Sequence, residues 1–188
     1  NALLRYSNLL NSHDNSINAL SDSIDVAYVI AGGSSLKFYI DQKYLSGLGK
    51  AELHIYDNDV AEYRQYVQQI NNQNDDRKKA FNTTKRELEN YLTKEAIEEA
   101  YAENGTILEI PNFGDNDDVP ELVAKVLFET SPEKIWDDLD ESQKKRRESR
   151  VKKFLNTQAV EKMTIERLQM NNGKQELESW FNTLMNLE

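Results

Sequence analysis

Leu53-His54-Ile55-Tyr56-Asp57-Asn58-Asp59-Val60 is an apolar run that ends in two aspartates. A helical pattern starts directly behind it, at Ala61–Ile70, with Tyr63, Tyr66, Val67 and Ile70 on one side. A short apolar run, a polar turn and an amphipathic helix together describe a strand-to-helix junction of an α/β sheet. In an extended strand, residues i and i+2 share a face, which sets Asp57 and Asp59 side by side, about 7 Å apart at their Cα atoms. Ligands of α/β sheets sit beyond the carboxyl ends of the strands. Two acids there suit a hard divalent cation, which takes oxygen ligands. The same residues also suit a turn or a cap on the following helix. Both readings stand at this point.

Upstream, Val26–Ala31 is a continuous apolar run, as in a buried parallel strand. Gly32-Gly33-Ser34-Ser35 ends it with turn and cap chemistry, and a helical pattern follows as far as Gly47-Leu48-Gly49. Two apolar runs joined by a helix predict a parallel pair with a right-handed crossover. No Gly-Lys-Ser/Thr follows the glycines, and the three spaced glycines of a dinucleotide site are absent, so no ATP binding by this chain is expected.

Downstream, a short stretch around Lys79–Thr83 reads as extended. A helix is expected over 84–97, with Leu88, Tyr91, Leu92 and Ile97 buried. Thr84 and Glu87 fit a capping box there, which gives Glu87 a structural role and shifts metal binding toward Glu89. Thr106–Ile110 is a third strand candidate, and Pro120 starts a further helix. From Ser131 the chain is charged and helical, with a break at Asn172-Gly173 and a last apolar stripe of Leu177, Trp180, Phe181 and Leu184. The expected organisation is a helical lead-in over 1–25, an α/β domain over 26–130 with a mainly parallel sheet flanked by helices, and a charged C-terminal helical extension over 131–188. The apolar face of the lead-in lacks an evident partner, which hints at a segment cut from a longer protein.

The chain has 188 residues and a net charge of −10, which argues against a protein that simply coats nucleic acid. It has no cysteine, so disulfides and thiolate metal sites are excluded and a reducing cytoplasm is compatible. No apolar run is long enough to span a membrane. One local feature opposes the global sign. Lys144-Lys145-Arg146-Arg147 is followed by Arg150, Lys152 and Lys153. Contact with phosphates is one use for these cations. Pairing of a solvated helix face with Asp137, Asp138, Asp140 and Glu141 is the blander expectation, and the favoured one.

Three elements occur in order: a Gly-containing strand-to-helix turn, a strand ending Asp57-Asn58-Asp59, and Lys85-Arg86-Glu87-Leu88-Glu89-Asn90-Tyr91-Leu92. Together they resemble the Toprim domain at the carboxyl end of overcoming-lysogenization-defect (OLD) family ATP-dependent endonucleases and related AAA/ABC-type ATPases. The likeness covers roughly residues 26–128. It implies a Toprim-like sheet and metal-assisted phosphodiester hydrolysis on DNA with Mg²⁺ or Mn²⁺. It also implies an ATPase domain upstream in the full-length protein, and it leaves oligomer formation open. The implied ligands and catalytic groups are Asp57, Asp59 and Glu89, with Glu87 as a further metal ligand. The family's first turn reads Val-Glu-Gly-x-x-Asp, whereas this chain has Ala31 for the glutamate and Ser35 for the aspartate. A methyl group neither binds a cation nor accepts a proton. One weak cation site and poor cleavage are therefore expected, and Asp25 lies at the wrong end of its strand to substitute.

Two other functions compete. One is a catalytically inactive Toprim-like module for nucleic-acid docking or assembly, which Ala31 favours. The other is a phosphatase of the haloacid-dehalogenase type, since Gly114-Asp115-Asn116-Asp117-Asp118 resembles its late metal motif. In that family the aspartate pair ends the first strand, whereas here a strand precedes it.

Overall fold

The structure, a computed structural model, describes residues 2–14, 17, 19–20, 26–27, 29, 48–131 and 133–187. Val26, Ala27 and Val29 carry no regular secondary structure. The rest of the expected first strand, with Asp25, Ala31, the glycine turn, Ser35 and the helix behind them, lies outside the described residues.

The apolar run before the two aspartates is strand β1, Glu52–Tyr56. The extended stretch is strand β2, Lys78–Asn82. The two pair in parallel, with Glu52 opposite Lys78 and Tyr56 opposite Asn82. Helix α2, Ala61–Asn71, connects them and follows helix α1, Ala2–His13. Its Ile70 packs with Tyr56 and Ala80, flanked by Tyr63, Tyr66 and Val67, so the apolar side read from the sequence is the side that meets the strands. Asn71 completes the join, because its amide donates to Ala80 O and accepts from Ala80 N, each at 3.0 Å. A side-chain amide thereby satisfies backbone groups that a further strand would otherwise pair. The described residues are therefore α/β, with a small parallel two-stranded sheet flanked by helices.

Two expected elements differ. Thr106–Ile110 is not a strand. It alternates as a strand does, with Leu108 and Ile110 buried and Ile107 90% exposed, but its backbone bonds elsewhere. Thr106 N–H donates to Tyr101 O, and Ile110 N–H donates to the Glu98 carboxylate at 2.9 Å. The segment is a strap across helix α3, Lys94–Glu103.

The stretch 84–97 is not one helix, and Thr84 does not cap it. Thr84 turns instead to Glu176, which accepts its backbone N–H at 2.7 Å and its hydroxyl. Glu87 is the cap, reciprocally bonded with Asn90, of a single 3₁₀ turn, Leu88–Tyr91. The chain then extends, and Thr93 caps α3 through Ala96 N–H. A straight helix would spread Glu89, Asn90 and Tyr91 around its circumference, whereas the tight turn buries all three.

The main core joins Tyr91, Leu92 and Ile97 to Val123 of helix α4, Val119–Glu129. Val151 and Leu155 of helix α5, Glu141–Leu155, enter the same cluster. So do Leu168 of helix α6, Ile165–Met170, and Trp180 of helix α7, Lys174–Asn186. Tyr6 and Leu10 of α1 are fully buried against it. The lead-in and the charged C-terminal helices thus share one core with residues 91–124. Tyr91 meets Trp180 edge-on at 5.7 Å. Gly173 lies so close to Tyr91 that a Cβ there would stand 2.8 Å from Cδ1 of the ring. Among the described residues no helix is long and apolar enough to cross a membrane.

Candidate functional site

The end of β1 is stitched to the segment that carries the two glutamates. Thr83 N–H donates to Tyr56 O, and Asn58 N–H donates to Arg86 O, both at 2.8 Å. Asp57 Oδ1 accepts the Leu88 N–H at 3.3 Å. Asp57 therefore faces residues 86–89. Helix α2 begins at Val60 with no side-chain cap, so the capping alternative for Asp57 and Asp59 does not form. Asp59 stays exposed at the rim.

Glu87 and Glu89 are buried, Glu89 with 1% of its surface exposed. One oxygen of each, Glu87 Oε1 and Glu89 Oε2, is buried without a hydrogen bond among the described residues. The other oxygens meet α5. Lys152 Nζ lies 2.6 Å from Glu87 Oε2 and 3.6 Å from Glu89 Oε1. Asn156, one turn further, donates to Glu89 Oε1. Its spacing of four residues from Lys152 sets both side chains on one helix face. Beside them opens a cleft of about 200 Å³, lined by Glu87, Asp118, Pro120, Glu148, Ser149 and Lys152.

The electrostatics follow from crowding acids in a dry place. Burial, with Glu87 beside it, pushes the Glu89 carboxyl up to about 7 against the pull of Lys152. Burial raises Glu87 as well, although Lys152 opposes this. Burial also raises Asp57, with Lys152 pulling it down and Asp59 pushing it up. Lys152 is held well above the ordinary lysine range, because Glu89 and Glu87 outweigh its own desolvation. Asp57, Glu87 and Glu89 are thus three mutually repelling carboxyls that share one ammonium.

The donors suit a hard divalent cation: all are carboxylate oxygens, and two of them are buried and unpaired. Among the described residues, however, no three His, Cys, Asp or Glu side chains converge closely enough to ring one ion. The positive charge facing Glu87 and Glu89 is Lys152. Of the residues singled out from sequence, Asp57, Glu87 and Glu89 gather, and Asp59 sits at the edge.

The pairing of Lys152 and Asn156 with the two glutamates is not written in the sequence. The available signal is polar residues four apart on the shoulder of a helix whose Val151 and Leu155 are buried. The aspartates at 115–118 are engaged structurally. Asp115 pairs with Lys85, and Asp117 accepts Gly114 N–H at 2.7 Å. Asp118 caps α4 and takes Arg86 at 2.8 Å.

Comparison with protein-family models, with curated proteins and with solved structures finds no match.

Proposed function

We propose that this chain is a Toprim-like domain of the OLD endonuclease type, built for metal-assisted phosphodiester hydrolysis on DNA and weakened at its first acidic motif. One observation carries this: Glu87 and Glu89, with Asp57 near enough to raise both, leave two buried carboxylate oxygens unpaired. Leaving such oxygens dry and unsatisfied is costly, unless a cation is their partner. Asp57, Asp59 and Glu89, with Glu87, are the residues that would hold Mg²⁺ or Mn²⁺. When bound, such a cation polarises a phosphoryl oxygen and acidifies a bound water.

The chain's own groups set the terms of binding. Asp57 fixes the Leu88 backbone and with it the turn that aims Glu87 and Glu89. Asn156 orients the Glu89 carboxylate by donating to Oε1. Glu89, near neutral in its proton affinity, carries its proton on one of its two oxygens over part of the population at pH 7. Lys152 supplies the counter-charge to the acids, and a bound cation would take over that role.

The second reading, a non-hydrolytic docking or assembly module, draws support from Lys152 as a built-in counter-charge and from Ala31 in the sequence. Plasmid nicking in Mn²⁺ separates the two. The unmodified chain is expected to nick poorly, and Ala31→Glu to raise both Mn²⁺ affinity and nicking. A correctly folded Ala31→Glu protein with neither gain refutes the hydrolytic proposal.

A further inference from the structure

The cations of α5 divide into two sets. Lys144 pairs with Glu141, Arg147 stacks on the Phe128 ring at 4.6 Å, and Lys152 enters the acidic site. Lys145, Arg146, Arg150 and Lys153 do none of this, and the last three share one face. All three are exposed and make no ion pair or side-chain hydrogen bond with any described residue. The pairing expected from the acidic run is realised only between Glu141 and Lys144. Asp140 is occupied as the cap of α5, accepting Gln143 N–H at 2.8 Å. Asp137 and Asp138 lie in a 3₁₀ turn before the helix and pair with none of the three. In a chain of net charge −10, three cations on one helix face without a partner among the described residues stand out from the global sign.

We infer that this face of α5 is a track for the phosphate backbone of DNA. The inference rests on the hydrolytic reading and names a surface that would bind its substrate. The spacing i, i+4, i+7 sets Arg146, Arg150 and Lys153 in one row. The row is about 10 Å long at 1.5 Å of rise per residue, the axial rise of about three phosphates of one strand. The row ends at Lys153, next to Lys152, which contacts Glu87. Glu148 and Lys152, which line the cleft beside Glu87, lie round the helix from this row. An anionic membrane fits less well. An interfacial helix inserts an apolar face, and the apolar side of α5, Val151 and Leu155, is already buried in the core.

The test is anisotropy of a short labelled DNA duplex in EDTA, so that no metal contributes. Three phosphate contacts predict a slope of about −2.7 in log affinity against log salt, about 40-fold weaker binding at 200 mM than at 50 mM. The variant Arg146→Gln/Arg150→Gln/Lys153→Gln is expected to bind at least about tenfold more weakly at 50 mM, with an unchanged circular dichroism melt. Unaltered affinity in that variant, absence of binding by the parent chain, or competition by phosphatidylserine vesicles overturns the inference. Mn²⁺ titration of the same proteins keeps the two proposals apart. If Asp57→Asn leaves Mn²⁺ binding intact while the triple variant loses DNA, the hydrolytic reading falls and the track stands. If Mn²⁺ binding depends on Asp57 but DNA binding ignores the triple change, the track falls alone.

Discussion

Replacing Lys152 by methionine removes the one ammonium that, among the described residues, meets Glu87 and Glu89, while keeping much of the volume of the side chain. Breaking a buried pair by deleting one partner typically costs about 3–5 kcal/mol. The Lys152 side chain is 44% exposed, which screens the interaction and lowers the expectation to about 2–3 kcal/mol. For a chain of this size that is a fall of about 4–12 °C in melting temperature. The loss depends on pH. With Glu89 raised to about 7, the carboxyl is mostly neutral at pH 6 and mostly charged at pH 8. Urea denaturation at the two values should therefore show the larger loss at pH 8. Excess Mn²⁺ should restore stability in the variant by more than it stabilises the parent, since a bound ion at a hundred times its Kd contributes about 2.7 kcal/mol. A variant within about 0.5 kcal/mol of the parent at pH 8, or a loss that ignores both pH and Mn²⁺, refutes the view that the acids need a cation.

Glu89→Gln tests the same site from the other side. A carboxyl raised from 4.5 to about 7 holds its proton better in the folded state, so its share of stability is present below about pH 4.5 and lost as pH rises to 7. That share is about 3 kcal/mol at most. The glutamine variant should have a flatter stability profile between these values and exceed the parent at pH 8, with Glu87 leaving a residual slope; an unchanged profile in urea titrations contradicts the assignment. Gly173→Ala should destabilise by about 1–3 kcal/mol, because its Cβ would meet the Tyr91 ring at 2.8 Å. Thermal melts check this, and an unchanged melt would show that the Tyr91–Trp180 contact relaxes freely.

The parts of the fold legible in the sequence are those written locally. The apolar run at 53–56, the period of Ala61–Ile70 and the stripe of Leu177, Trp180 and Phe181 each state their own element. The segment 84–93 could not be read this way. Its shape is set by partners far along the chain: Lys152 and Asn156 for the glutamates, Glu176 for Thr84 and Tyr91. A capping pattern such as Thr84 with Glu87 is a local offer, and the long-range bonds outcompeted it. The strand pattern at Thr106–Ile110 failed for a related reason. Alternation reports one buried side, not a neighbouring strand, and the backbone here bonds to α3. The acids of the site were visible because Asp57 ends a strand and Glu89 sits in a recognisable stretch. The ammonium that balances them was not, because Lys152 looks like any other cation in a basic run.

The most direct test is an anomalous difference map from crystals of the unmodified chain soaked in Mn²⁺. One peak is expected at about 2–2.5 Å from carboxylate oxygens of Asp57 and Glu89, with the Lys152 ammonium displaced from Glu89. A map with no peak there at saturating Mn²⁺, and Lys152 still bridging Glu87 and Glu89, would contradict this expectation.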